Sequence, residues 1–380
     1  MFSCNDVVQS TGRMITVDAL SRTQKALFVL LKASINNKEP EESLFEDFSE
    51  SEWKAVYRIA IEQGVMALVF DAVMRLPEKM RPQRTLKLNW AVNVDVLEKR
   101  YKHQIAVAND VAKIFREEKM RMILFKGLSL ARYYPVPSHR EFGDLDIYLF
   151  RKYKDGNKTL LQKGAKKKHS DPKHTALSFK GLLIENHNDF LTLHRYPYLK
   201  KLNNRLAVLC EKSADLMPYD DDIQFPSPDF SALFMMCHAV IHFPSSIVLR
   251  HFCDFLFFWR ANYGIVDISE YKNALADAGL TEIADAFMAI TVRFLGLEQE
   301  LAPAFKSNPE LEDKILLNML NPVVMKKKNH SSLDILKFKY KVLKSRRWKY
   351  ELVNPGKYGV FIAKSVLYYL FNLKLLFKLK

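Results

Sequence analysis

The sequence is poor in the residues and segments that mark several large classes of protein. Its 380 residues contain only four cysteines, which show neither the paired spacing of a zinc site nor that of a disulfide framework. No apolar run approaches the ~20 residues that span a bilayer. With only 12 glycines and no low-complexity tract, the chain is not expected to be disordered. It shows no internal repeat of the kind that indicates a solenoid.

The first ten residues, MFSCNDVVQS, lack the basic flank and apolar core of a signal peptide. Together with the scarcity of cysteine, this predicts a reduced, cytoplasmic protein. A hydrophobic content of 48%, with 26 Phe and 16 Tyr, is ample for a packed interior. The length predicts one large domain or two fused domains.

Positive charge is concentrated in the last part of the chain. The formal net charge is +15, yet residues 326–380 hold 15 Lys and Arg against two acidic residues. The rest of the chain is nearly neutral, with 43 basic and 41 acidic side chains. From Val360 onward, lysines interrupt an otherwise apolar helical pattern, which can lie on an anionic membrane surface or pack back on the protein. Peripheral membrane docking is therefore a hypothesis for this tail, and nucleic-acid binding is the weaker alternative.

Apolar periodicity predicts helices on both sides of a central segment. Ser49 and Glu52 form a capping box before a helix at 53–63, and an apolar stripe along 90–115 predicts a long helix. After Pro228, helices are predicted at 230–242, 248–261, 268–278 and 282–295, followed by a looser connection at 297–325. The predicted regions are an N-terminal helical region (1–120), an α/β core (121–225), a C-terminal helical region (226–325) and the basic aromatic tail (326–380).

The central segment alternates between strand and helix patterns. The run RMILF at 121–125 predicts a strand, and Lys126-Gly127 interrupts it before a short helix at 128–134. A strand at 144–150, a helix at 153–162, and two strands at 174–179 and 182–187, joined by a hairpin turn at Lys180-Gly181, follow. These elements predict an α+β fold in which a small mixed sheet is flanked by helical regions.

Two aspartates, Asp144 and Asp146, begin one of these strands. Residues two apart in a strand point to the same face, so their carboxylates are expected side by side. Such like charges repel each other and favour a cation between them. Mg²⁺ takes oxygen ligands from a few carboxylates and from substrate phosphates. The pair is therefore a candidate metal clamp, and an exposed strand end without a metal is the alternative.

Three further residues belong to this candidate site. Gly127 can allow close approach of the backbone, and Ser129 can offer a hydroxyl or amide group to a phosphate near the start of a helix. Glu185 supplies a third carboxylate, and an antiparallel neighbour could bring it beside the aspartates.

The order of these motifs carries a resemblance to a known group of enzymes. Lys-Gly-x-Ser-Leu at 126–130 is followed by Tyr-x-x-Pro-x-x-Arg-x-x-Gly-Asp-x-Asp at 134–146 and by a strand that ends in an acid and a histidine. This order resembles the nucleotidyltransferase superfamily of DNA polymerase beta, and more narrowly its bacterial branch with helical flanks. The resemblance covers about residues 20–300 and includes the helix of Trp53 and the stretch LRHFCDF at 249–255.

The resemblance implies roles for the candidate residues. Asp144, Asp146 and Glu185 would hold two Mg²⁺ (or Mn²⁺) ions, and Gly127 and Ser129 would cradle the phosphates of a nucleoside triphosphate. The implied reaction moves a nucleoside monophosphate, taken to be AMP from ATP, to an acceptor that the sequence does not identify. Two positions depart from the superfamily pattern. Leu128 stands where a second small residue is common, and Glu185 stands where Asp is commoner.

Two basic residues have two interpretations each. Arg140 could neutralise phosphate charge with its fork of donors, or it could form an ion pair with Asp144 or Glu141 that fixes the loop. Lys126 could likewise contact a phosphate or serve a structural role.

Four residues are candidates for the substrate site or for contacts that support it: His187, His242, Arg250 and Asp254. His187 shares the strand face of Glu185. His238 and His242 have a spacing that two zinc ligands can use, but no third ligand is evident. Alternatively, the two histidines are a buried structural pair, or they line a nucleotide or acceptor site. The competing function is a non-catalytic nucleotide-binding or scaffold protein that retains the fold and docks through its basic tail.

Overall fold

The computed structural model describes residues 20–213, 218–220, 223–245, 247–321 and 331–363. The predicted α+β class is confirmed, since a mixed sheet is preceded and followed in the chain by helices. The helices are α1 (Arg22–Ile35), α2 (Glu50–Glu62), α3 (Met66–Val73), α4 (Arg84–Glu117), α5 (Gly127–Ala131), α6 (Tyr153–Gln162), α7 (Lys200–Lys212), α8 (Pro228–His242), α9 (Leu249–Asn262), α10 (Ile268–Asp277), α11 (Thr281–Ile290), α12 (Pro309–Leu320), α13 (Ser332–Ser345) and α14 (Arg347–Val353). The strands are β1 (Ile123–Phe125), β2 (Asp144–Tyr148), β3 (Lys166–Ser170), β4 (His174–Phe179), β5 (Leu182–His187), β6 (Pro218–Asp220) and β7 (Ile223–Gln224).

The N-terminal helices follow the predicted signals. The capping box at Ser49 is present, because its side chain accepts from the backbone of Glu52 while the Glu52 side chain accepts from the backbone of Ser49. The predicted stripe on α4 is largely buried, and the Trp90 indole donates a 3.0 Å hydrogen bond to the carbonyl of Met66 at the start of α3. The long helix α4 is thereby fixed to the shorter helices before it.

The sheet brings the predicted acidic residues to neighbouring strands. Within the described residues its strand order is β3-β4-β5-β2-β1-β7-β6. Strand β2 pairs antiparallel with β1, where Phe125 is opposite Asp146, and parallel with β5, where Asp146 is opposite Glu185. The expected antiparallel placement of Glu185 was therefore wrong in direction, because β5 reaches β2 after a crossover through α6 and the β3–β4 hairpin.

Several elements were missing from the prediction. All five residues of β3 are exposed, and its sequence KKKHS has no apolar alternation to mark a strand at the edge of a sheet. Helix α12 lies in the segment 297–325 that was predicted as a looser connection. Its sequence did contain a start signal, since Asn308 caps the helix and Pro309 occupies its first turn.

The first part of the basic tail packs against the rest of the protein. The Trp348 ring on α14 lies 5.4 Å from the ring of Phe243, measured between centroids, and Val353 is buried in the main core. The Tyr198 hydroxyl donates a hydrogen bond to the carbonyl of Val353. Residues 364–380, on which the membrane-docking hypothesis depends, lie outside the described residues. No helix among the described residues is long and apolar enough to cross a bilayer.

A buried ion pair ties the sheet region to the C-terminal helices. The Arg140 guanidinium donates to both carboxylate oxygens of Asp254 on α9, at 2.7 and 2.8 Å, and both side chains are 4% exposed. Arg140 also donates to the carbonyl of Gly127 at 3.0 Å, and the Tyr134 hydroxyl donates to Asp254 at 2.7 Å. These bonds hold the turn between β1 and α5 against α9.

A second buried contact joins α3, α4 and the loop before β2. The two ring nitrogens of His139 lie 2.8 Å from Asp71 and 3.0 Å from Glu98. Burial alone would lower the pKa of His139, but these two carboxylates outweigh it and raise that pKa above its usual value. The two carboxylates therefore favour the protonated form of His139 at this junction.

We expect Asp254→Asn to lower the free energy of unfolding by about 3–5 kcal/mol, because it leaves the Arg140 charge buried without its partner. The double variant Arg140→Met with Asp254→Asn should lose less than the sum of the two single changes. Urea titrations measure these energies. The exposed ion pair of Lys99 and Asp95 on α4 is the control. Substitution of either residue should lower the free energy of unfolding by less than about 1 kcal/mol. Strictly additive losses at Arg140 and Asp254 would contradict the role of the pair.

The His139 contact should stabilise the protein at low pH. Because the pKa of His139 is raised in the folded protein, its contribution is fully present below the unfolded pKa of about 6.5 and is lost as the pH rises through the folded pKa. The difference in unfolding free energy between the wild type and His139→Gln should therefore shrink as the pH rises. Urea titrations between about pH 5.5 and 8.5 measure it, and a constant difference would refute the assignment.

Candidate metal and nucleotide site

The turn between β1 and α5 has little room for side chains. Lys126 adopts a φ of 63°, which is unusual for a residue other than glycine. A Cβ atom on the next residue, Gly127, would lie 2.8 Å from the Phe142 ring and 3.4 Å from the carbonyl oxygen of Asp144. The absence of a side chain at Gly127 thus lets this turn lie directly on the segment that leads into β2.

Three carboxylates converge beside this turn. Atoms of Asp144, Asp146 and Glu185 all lie within 4.8 Å of one another. Asp144 and Asp146 share one face of β2, and the parallel pairing of β2 with β5 places Glu185 next to Asp146. The Asp146 side chain is only 1% exposed, whereas those of Asp144 and Glu185 are 27% and 17% exposed. The three carboxylates therefore form a partly buried acidic recess, with Asp146 buried and Asp144 and Glu185 partly exposed, rather than an exposed strand end.

Lys126 supplies the positive charge that these carboxylates need. Its ammonium nitrogen lies 3.0 Å and 3.2 Å from the two Asp146 oxygens and 3.8 Å from an Asp144 oxygen. Burial would raise the pKa of Asp146, but Lys126 and a hydrogen bond from His187 hold it well below its usual value. Burial and the neighbouring Asp146 charge instead raise the pKa of Asp144. Asp144 is thus the carboxylate that lacks sufficient positive charge around it.

Two histidines complete the surroundings of Glu185 and Asp146. His187 Nε2 lies 3.0 Å from Asp146 Oδ1 and 3.7 Å from Glu185 Oε2, and His174 Nε2 lies 3.5 Å from Glu185 Oε1. The predicted proximity of His187 to Glu185 is present. His174 was missed, although the predicted turn at Lys180-Gly181 implies a hairpin register that places it opposite His187, as observed.

Lys173 is a second lysine near these carboxylates that the sequence did not predict. Burial lowers the pKa of Lys173, while the charges of Asp146 and Glu185 act in the opposite direction and only partly offset it. It precedes the first residue of β4, and no sequence motif marks it.

Ser129 and Arg140, both predicted to contact phosphate, are engaged in contacts within the protein. Ser129 is 3% exposed, and its hydroxyl donates to the carbonyl of Lys126 at 3.0 Å. The alternative expectation for Arg140, an ion pair with Asp144 or Glu141, is wrong, since its carboxylate partner is Asp254. Direct phosphate contacts by Ser129 and Arg140 stay predictions, and their observed role is to support the turn.

Helix α8 contributes two histidines near the recess, and helix α9 carries Arg250. The rings of His238 and His242 lie 4.3 Å apart between centroids. Burial, followed by the charges of Lys126 and Lys173, lowers the pKa of His242 to about 4, so this ring is neutral near pH 7. Arg250 donates to the carbonyl of Glu141 at 2.8 Å. Among the described residues, neither His238 nor His242 belongs to a group whose atoms could hold a metal.

The chemistry of the donors fits a divalent cation. Three carboxylates in mutual proximity are hard oxygen ligands of the kind that Mg²⁺ and Mn²⁺ prefer. A cation there would relieve the repulsion that raises the pKa of Asp144. These three side chains could therefore hold a metal ion.

Comparison with known proteins agrees with this geometry. The protein family described as uncharacterised nucleotidyltransferase matches residues 49–296, from the capping box of α2 to the end of α11 and the π-helical turn that follows it. This range contains every residue of the recess. Neither a curated protein nor a solved structure matches the chain significantly. Because the matched range covers well over half of the 380 residues, the chain belongs to this family of nucleotidyltransferases.

Proposed function

We propose that the protein transfers a nucleoside monophosphate, AMP from ATP, to an acceptor, with Mg²⁺ or Mn²⁺ held by Asp144, Asp146 and Glu185. The observation that carries the proposal is the convergence of these three carboxylates within 4.8 Å in a chain of the nucleotidyltransferase family. The narrower assignment to a bacterial branch of the polymerase beta superfamily is part of the same proposal and rests on the motif order at 126–146.

In this reaction the acceptor oxygen bonds to the α-phosphorus while the bond to the pyrophosphate leaving group breaks. Bound divalent cations supply charge stabilisation for the attacking and leaving oxygens. The protein contributes positioning. Asp146 is fixed by His187 and Lys126, and the turn at Gly127 is held from behind by Arg140. A site so fixed before substrate arrives needs little rearrangement during the transfer.

Lys126 has two successive roles in this proposal. Without a metal its ammonium group neutralises Asp146 and approaches Asp144. A divalent cation held by the same carboxylates would supply the charge that Lys126 supplies without metal. Lys126 would then be available to contact a nucleotide phosphate, as the sequence motif predicts. One residue thus stabilises the site before and after the nucleotide binds.

The acceptor side of the recess is assigned to His242, Arg250 and Lys173. His242 is close enough to Lys126 and Lys173 for both charges to lower its pKa. A neutral imidazole and an arginine can bind an acceptor that carries hydroxyl or anionic groups. The sequence and the site leave the identity of that acceptor open.

The proposal predicts Mg²⁺-dependent labelling of a cellular acceptor by an α-labelled nucleoside triphosphate. Incubation of the protein with a cell extract and each of the four labelled triphosphates measures both activity and base preference. Asp144→Asn should lower the transfer by about 100- to 1,000-fold, because one ligand of the cation is lost. Asp144 is a better choice than the buried Asp146, whose removal would leave Lys126 and His187 without their partner.

The matched control is Asp155→Asn on the exposed face of α6, which should leave the labelling unchanged. Calorimetry with ATP and Mg²⁺ on the same proteins separates binding from turnover. Binding of ATP without any labelling would favour the non-catalytic nucleotide-binding protein, and absence of both would refute the proposal.

A further inference from the structure

A second group of potential metal ligands adjoins the three carboxylates. Atoms of His174, Glu185 and His187 lie within 4.8 Å of one another. The hairpin of β4 and β5 produces this group, because its register places His174 opposite His187, with Glu185 two residues earlier on the same strand face. Glu185 is common to both groups.

One of the two imidazole rings has the second contact that metal-binding histidines usually have. Histidines that bind a metal through one nitrogen usually donate the other N–H to a carbonyl or carboxylate. His187 Nδ1 lies 3.2 Å from the carbonyl oxygen of Asp189, whereas His174 Nδ1 is 3.9 Å from an Asp171 oxygen and has no hydrogen-bond partner among the described residues. The Nε2 atoms of His174 and His187 lie 3.5 and 3.7 Å from the Glu185 carboxylate.

His187 also links this group to the three carboxylates. Its Nε2 lies 3.0 Å from Asp146 Oδ1, and Glu185 belongs to both groups. The two groups are therefore adjacent.

We propose that His174, Glu185 and His187 form a second metal site that prefers a borderline cation such as Zn²⁺ over Mg²⁺. Imidazole nitrogens suit zinc, whereas the neighbouring group offers oxygen ligands alone, which suit magnesium. Glu185 would bridge the two positions. Any role of this second ion in the reaction rests on the proposed function. The binding of the ion to the three side chains does not.

Calorimetric titration of the full-length protein with ZnCl₂ in saturating Mg²⁺ tests the proposal. We expect one zinc ion per chain. His174→Gln should weaken zinc binding about 100-fold or more, because it removes one nitrogen ligand. His174 is partly exposed, so its substitution should leave the fold intact. Thermal melting in EDTA verifies that it does.

His169→Gln is the matched control, because its ring is exposed and lies 6.4 Å from that of His174. It should bind zinc like the wild type. Unchanged zinc affinity in His174→Gln, or loss of zinc in His169→Gln, would overturn the proposal.

A separate experiment tests the second metal site independently of the proposed function. Asp144→Asn should keep the zinc site while it loses Mg²⁺-dependent ATP binding. Loss of zinc in Asp144→Asn would mean that the carboxylates alone hold it and would overturn the second site. Zinc binding that persists in a protein without any ATP binding would instead refute the proposed function and support the second site. X-ray absorption at the zinc edge of the Zn²⁺-loaded wild type gives a readout without a variant, since the absence of scattering from imidazole rings would contradict nitrogen ligation.

Discussion

The mutual repulsion of three carboxylates is the constraint on which the rest of the site depends. Asp144, Asp146 and Glu185 lie within 4.8 Å of one another, so the folded protein must supply positive charge among them. Lys126 does so from a turn with an unusual φ, and His187 contacts Asp146 from the end of β5. A divalent cation at this position would relieve the repulsion.

The helical regions also help to fix the position of the acidic site. Arg140, in the motif that leads to the aspartates, reaches Asp254 on α9 and the carbonyl of Gly127. Two stretches about 110 residues apart in sequence, Arg-x-x-Gly-Asp-x-Asp and LRHFCDF, therefore meet in one buried ion pair. One hydrophobic core also includes residues from the N-terminal helices, β1 and the C-terminal helices. Residues on both sides of the predicted boundaries at 120 and 225 therefore pack in one hydrophobic core.

Local patterns predicted much of this fold, and non-local pairing explains most of what they missed. The limits of β4 and β5 agree with the prediction because alternation and a Lys-Gly turn are encoded within a few residues. The same-face placement of Asp144 and Asp146 follows from strand geometry alone. The parallel pairing of β2 with β5 and the Arg140–Asp254 bond depend on how distant segments fold together. Strand β3 was missed because an exposed edge strand of lysines has no apolar side to detect.

The register of the β4–β5 hairpin determines which histidines meet. The sequence predicted only that His187 shares a strand face with Glu185, whereas the hairpin turn also implies that His174 lies opposite His187. Lys173 has no comparable signal, since its position depends on the loop before β4. The role of Lys126 likewise emerges only from its distances to both aspartates.

The affinity for Mn²⁺ of the wild type and of Lys126→Met, measured by calorimetry without nucleotide, tests the central claim most directly. If the carboxylates form a metal site that Lys126 occupies, removal of its charge should strengthen Mn²⁺ binding about tenfold or more. Lys180→Met, which removes an exposed lysine paired with Asp110, should leave the affinity unchanged. Equal or weaker Mn²⁺ binding by Lys126→Met would contradict the account, because the ammonium group and the metal would then not compete for the same carboxylates.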